Sequence, residues 1–145
     1  MSVFADSSAL VKRYADEHGW EVVRSIVEPL VVSQLARVEV PAALWRKQRM
    51  GELSVEDAHI LVTEFEFDLC GGDGADAVLT AVAPIAAVLD RAARLAATHG
   101  LRAYDCVQLA SAIIVRDVDP ECRTFAAFDD QLRGAAATEG FTLLP

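Results

Sequence analysis

The feature that most constrains this chain is an alternation of short and long segments. Brief apolar runs, Val3–Ala5 ("VFA"), Leu30–Ser33 ("LVVS") and Thr124–Phe128 ("TFAAF"), are separated by stretches long enough for one or more helices. Parallel strands need long crossovers and bury both faces, so near-continuous apolar strands interleaved with helices imply a mainly parallel sheet with helices on both sides. At 145 residues the prior is one domain, residues 1–145, with no interdomain linker or repeat. A domain of that size buries roughly 68–70% of its unfolded surface and needs no staples.

The helices follow from periodicity and end signals. Ser7–Tyr14 reads as a short helix, and Trp20–Glu28 as another, with Trp20, Val23 and Val27 at helical spacing. Gln34–Met50 carries Leu35, Val38, Ala42 and Trp45 along one stripe, with a kink expected at Pro41. Ser54 is a helix N-cap, with Asp57 three residues on, opening a helix to about Asp68. "CGGDGAD", 70–76, is a loop, and it lacks the oxygen ladder of a calcium site. Ala77–Val82 is a strand, and Pro84 opens a helix to His99 that Gly100 stops. Ala103–Val118 is a helix with Val107, Ala110, Ile114 and Val118 on a face. Gln131–Thr138 is a last helix and Phe141–Leu144 a last strand.

Two strands finish on acid, "VFAD" at Asp6 and "TFAAFD" at Asp129. In open α/β sheets ligands bind beyond the carboxyl ends of the strands, so parallel neighbours would bring these two carboxylates to one edge. Glu39 adjoins an apolar stripe, where an acid is costly without a partner. Asp105 opens a helix, where the dipole tolerates an acid. Taken singly, Asp6, Asp129 and Asp105 fit helix caps as well as ligands. Brought together, four carboxylates repel, and a hard divalent cation relieves that conflict. Such ions serve phosphodiester hydrolysis by activating water and stabilising both displaced oxygens. The Ser7 hydroxyl would then orient a carboxylate or a water.

The formal charge of −9 on its own disfavours a nucleic-acid binder and suits a partner that is cationic. Much of it would be focused at the acidic site. Arg46, Lys47 and Arg49 cluster at one helix end and Arg102 precedes Asp105; each reads equally as a solvated helix face or a phosphate contact. Cys70, Cys106 and Cys122 are odd in number and without C-x-x-C, which points to reduced thiols used as small core fillers. No basic segment leads into an apolar one at the N-terminus, and the longest uncharged run, Ala77–Leu89, is too short to span a bilayer; the expectation is cytoplasmic, with no membrane partner. His18, His59 and His99 read as structural or solvated, and Trp20 and Trp45 as packing or dimer contacts.

The segments "FADSSALVKRY", "SQLARVEVPAALWR", "HGLRAYDCVQLASA" and "FDDQL…EGF" resemble, in order and over nearly the whole chain, the PIN-domain ribonucleases, and specifically the VapC-type toxins of toxin–antitoxin pairs. The resemblance implies a three-layer α/β/α sandwich with a mainly parallel central sheet. It places the family's acids on Asp6, Glu39, Asp105 and Asp129, with Asp130 in reserve for the fourth, and matches Ser7 to the hydroxyl after the first acid. Gln108 stands where many relatives carry histidine. The implied activity is Mg²⁺- or Mn²⁺-dependent endonucleolytic cleavage of RNA. The implied partners are a small VapB-type antitoxin, whose basic arm could place an arginine among the carboxylates, and a second copy in a homodimer. The alternatives are a PIN-fold RNA- or antitoxin-binding module without turnover, and an aspartyl phosphatase or receiver domain. The phosphatase would need a second Asp where Ser8 stands, two residues after Asp6; the receiver would need an acidic pair after the first strand and a late lysine, and the only lysines are Lys12 and Lys47.

Overall fold

A computed structural model describes residues 1–145. The elements in chain order are β1 (Val3–Ala5), α1 (Ser7–Tyr14), α2 (Trp20–Arg24), β2 (Leu30–Ser33), α3 (Ala36–Arg49) and α4 (Val55–Cys70). They continue with β3 (Thr80–Val82), α5 (Ala86–His99), α6 (Ala103–Val118), β4 (Thr124–Ala126), α7 (Asp130–Thr138) and β5 (Thr142–Leu144). The five strands form one sheet in the order β3-β2-β1-β4-β5, and every neighbouring pair is parallel. The chain winds outward from β1 to one side, then crosses to β4 on the other. The switch of direction falls between β1 and β4, where Phe4 pairs with Phe125 and Ala5 with Ala126.

Successive strand residues point to opposite faces, and the packing follows that period. Val3, Ala5, Leu30, Val32 and Ala126 pack with residues of α1 to α4 in one core. Phe4, Val31 and Phe125 pack with α5, α6 and α7 in the other. The rings of Phe4 and Phe125 stack 5.5 Å apart across β1 and β4, a pair contributing about 0.5–1.5 kcal/mol beyond its area. The result is the expected three-layer α/β/α sandwich. No helix is long and apolar enough to cross a membrane.

Several local expectations shift. The second helix ends at Arg24, four residues before Glu28: the Ser25 hydroxyl turns back onto the Val22 carbonyl at 2.7 Å, and Val27 is 91% exposed. Helix α3 runs through Pro41 as one element, and its buried stripe is Ala36, Val40 and Leu44. Val38, expected on that stripe, is 71% exposed. Similarly α6 buries Cys106, Leu109, Ala110 and Ile113, while Val118 is exposed. Both helices carry apolar residues on several sides, so spacing alone selects no unique face. Cys106 and Cys122 are buried, but Cys70, expected as core filler, is exposed at the end of α4. The Ser54 cap is as expected, accepting from the Asp57 N–H at 3.0 Å.

Candidate active site

Because all strands are parallel, the helices that directly follow β1, β2 and β4 start at the carboxyl edge of the sheet. The N-terminus of α6 reaches the same edge, since Arg102 contacts Asp129 and Gln108 contacts Ser7. Four acids thereby arrive from four separate segments. Asp6 follows β1, Glu39 is in the first turn of α3, Asp105 in the first turn of α6, and Asp129 follows β4.

Asp6 serves two purposes. It caps α1, accepting from the Ala9 N–H at 2.9 Å. The Ser8 hydroxyl donates to the same carboxylate, 2.7 Å from Oδ1 and 3.0 Å from Oδ2. Ser8 in turn accepts from the Phe128 N–H at 3.1 Å, which ties the end of β1 to the segment after β4. The carboxyl is 4% exposed and no ammonium or guanidinium pairs with it. Burial therefore raises its pKa from 3.8 to about 6, against the opposing hydrogen bonds from Ala9 and Ser8, and the negative charge of Asp105 adds to the rise. A carboxylate so placed is one that a nearby positive charge would stabilise.

The other acids are held in pairs of contacts. Gln108, 2% exposed on α6, donates through Nε2 to Ser7 Oγ and to Glu39 Oε2, each at 2.9 Å. That fixes the amide orientation, because a flipped Gln108 would set its oxygen against the Glu39 carboxylate. Its Oε1 is buried without a partner. Arg102 lies between Asp105, 3.3 Å from Nε, and Asp129, 3.8 Å from Nη2. Asp129 also caps α7 through the Leu132 N–H at 2.9 Å. Asp130, the reserve candidate, is the exposed first residue of α7 and joins none of these contacts.

Glu39 is linked to Ser7 through Gln108, and Asp105 to Asp129 through Arg102; no three His, Cys, Asp or Glu side chains stand together at metal-holding spacing. The Gln108 amide occupies the approach to Glu39, and Arg102 the gap between Asp105 and Asp129. The donor set nonetheless suits a hard divalent cation: the carboxylates and the hydroxyls of Ser7 and Ser8 offer only oxygen. A cavity of about 360 Å³ opens beside it, lined by Ser7, Ser8, Lys12, Glu17 and Glu39 among others.

The sequence offers Ser7 as a hydroxyl that orients a carboxylate or a water. The hydroxyl bonded to Asp6 is Ser8, while Ser7 bonds Gln108. An Asp cap with a hydroxyl two residues on was the available signal. Lys12 was also missed; it is 8% exposed and lies 4.3 Å over the Phe128 ring. Gly19 makes room for that ring: it has φ +88, and a Cβ there would collide with Phe128.

A five-stranded parallel sheet between two helical layers, with acids at its switch point, defines the class of architecture. Solved structures with the same fold include two. FitAcB from Neisseria gonorrhoeae superposes with a TM-score of 0.65 at 16% identity, over 99% of this chain and 96% of that one. PAE2754 from Pyrobaculum aerophilum gives 0.57 at 21% identity, over 99% and 92%. The fold is PIN-like. No family model and no curated relative matches the chain.

Proposed function

We propose that this chain is a Mg²⁺- or Mn²⁺-dependent endoribonuclease, the toxic partner of a VapB-type antitoxin in a toxin–antitoxin pair. The observation that carries the reading is Asp6: a nearly buried carboxyl at the sheet's switch point, close enough to Asp105 to feel its charge and with no lysine or arginine paired to it. The four PIN-type sequence segments and the fold shared with FitAcB support the same reading.

Asp6, Glu39, Asp105 and Asp129 would hold the ion. Once bound, it would supply positive charge to the phosphodiester and acidify an attacking water. The chain's own groups prepare the place. Ser8 and the Ala9 N–H fix the Asp6 carboxylate, and Gln108 fixes Glu39 against Ser7. The N-termini of α1, α3 and α7 contribute positive potential toward a phosphate. Arg102, 80% exposed along its side chain, is free to turn from Asp105 and Asp129 toward substrate. A basic antitoxin segment would find the same carboxylates, and a second copy of the chain completes the proposed assembly.

Incubating the purified chain with RNA and Mg²⁺ or Mn²⁺ tests this directly. Cleavage should stop with chelator and in Asp6→Asn. Cleavage indifferent to both would overturn the reading, and tight RNA binding with no cleavage in either metal would make the chain a silent binding module.

A further inference from the structure

The chain contains two lysines, Lys12 and Lys47, and both end on one carboxylate. Lys12 Nζ lies 2.8 Å from Glu17 Oε2, and Lys47 Nζ lies 2.6 Å from Glu17 Oε1. Lys47 also meets Glu52 at 2.9 Å. Both ammonium side chains are nearly enclosed, 10% and 14% exposed. Burial works to raise the Glu17 carboxyl, but the hydrogen bonds and charges of the two lysines together outweigh it and leave it below the usual range. Burial likewise works to lower the Lys47 ammonium, and Glu17 and Glu52 reverse that.

The position of this bridge is more telling than its strength. Glu17 lines the cavity shared with Ser7, Ser8 and Glu39. It also lines a neighbouring cavity of about 270 Å³, with Arg46 and Lys47. One carboxylate thus stands between the cavity at the acidic edge, which Lys12 lines, and a pocket that holds Arg46, Lys47 and Glu52; Arg46 there has no ion-pair partner. Lys12 is linked to the acidic edge through Phe128, whose N–H bonds Ser8, the residue that holds Asp6.

Each oxygen of Glu17 accepts from a different ammonium. Two non-bridging oxygens of a phosphodiester present the same pair of acceptors and the same single negative charge. Glu17 lies in the loop between α1 and α2, so it can swing aside without breaking a helix. We propose that Lys12 and Lys47 form a second phosphate subsite beside the acidic edge, closed in the free protein by Glu17 and opened when an RNA phosphate replaces that carboxylate. The subsite rests on the endoribonuclease reading and extends it: it holds a phosphate away from the scissile one and explains how so acidic a chain grips RNA.

The test is fluorescence anisotropy of a labelled mixed-sequence single-stranded RNA on the full chain with Mg²⁺, in an Asp6→Asn background that leaves the RNA intact. Glu17→Gln should tighten binding several-fold. Lys12→Met and Lys47→Met should weaken it, and each should reduce the slope of log affinity against log salt by about 0.7, one single-strand phosphate contact. Lys47→Arg should retain affinity. A bridge that only braces the fold gives a different pattern: Glu17→Gln lowers the melting temperature without tightening RNA, and Lys47→Met leaves the salt slope unchanged in folded protein. That pattern overturns the subsite. If the chain with Asp6 intact cuts RNA while these variants bind alike, only the subsite falls; if it neither binds nor cuts RNA, the endoribonuclease reading falls with it.

Discussion

Two acids near opposite ends of the sheet, Asp68 and Asp6, are held in opposite ways. At the amino edge, in the last turn of α4, whose Asp68 carbonyl meets the segment leading into β3, the Asp68 carboxylate accepts from the Tyr14 hydroxyl at 2.8 Å and from Arg13 Nε at 3.4 Å. On the other face of the sheet Asp117 is likewise partnered by Arg91. At the carboxyl edge Asp6 is the more deeply buried acid, yet hydrogen bonds from uncharged groups are all it receives. Burial without charge compensation destabilises a fold. The amino edge has acids placed for stability, and the carboxyl edge has an acid placed in spite of it, which is the mark of a functional site.

The largest test of that contrast is cleavage. Asp6→Asn keeps the α1 cap, because asparagine caps as well as aspartate, and it removes one negative oxygen from the site. RNA cleavage should fall by roughly a hundredfold or more, the loss of about 3 kcal/mol of transition-state stabilisation. Gel-based cleavage assays measure it.

The same substitution should strengthen the metal-free fold. The folded carboxyl titrates at about 6 and the unfolded one near 3.8, so the native state binds the extra proton in between. Native stability therefore falls as pH rises from about 4 to 6 and stays reduced above that. At roughly 1.4 kcal/mol per pH unit, ionising Asp6 costs the fold of order 3 kcal/mol. Asparagine does not titrate. Denaturant melts in EDTA should show Asp6→Asn more stable than the parent at pH 7.5, with the advantage gone near pH 4. A destabilised Asp6→Asn at pH 7.5 would show that a cation of the chain already neutralises the site.

At the amino edge the sign reverses. Asp68→Ala strands the Tyr14 hydroxyl, which burial and Asp68 together hold far from ionisation. Leaving that buried donor unpaired should cost about 1–3 kcal/mol, read as a lower midpoint in the same melts, with RNA cleavage unchanged. If Asp68→Ala stabilised and Asp6→Asn destabilised, the contrast between the edges would be inverted.

Much of this was legible in the sequence because it is local. A short apolar run ending on aspartate fixed both β1 and the placement of Asp6. Ser54 with Asp57, and Gly100 with its left-handed backbone (φ +64), bounded their helices from side-chain and backbone chemistry within a few residues. What sequence could not reveal depends on contacts across the chain. Gln108 reaches Ser7 over 101 positions and Glu39 over 69, and Lys47 finds Glu17 across the α1–α3 groove. No periodicity encodes such meetings. The rotation of α3 belongs to the same group: "ARVEVPAALW" offers apolar residues on every side, and only the neighbouring sheet decides that Ala36, Val40 and Leu44 turn inward.

That rotation sets the smallest prediction, and it bears on Glu39. Glu39 lies between Val38, 71% exposed, and Val40, fully buried. The helix must be turned this way for Glu39 to reach Gln108. Val38→Gln should then change stability by no more than about 0.5 kcal/mol, as surface substitutions do, and leave RNA cleavage intact. Val40→Ala should cost about 1.5–3 kcal/mol, the burial of a valine side chain lost with its methyl groups. Were the costs exchanged, α3 would present Val38 to the core. Glu39 would then be carried about 200° around the helix axis, two residues at about 100° each, away from the edge that holds Asp6.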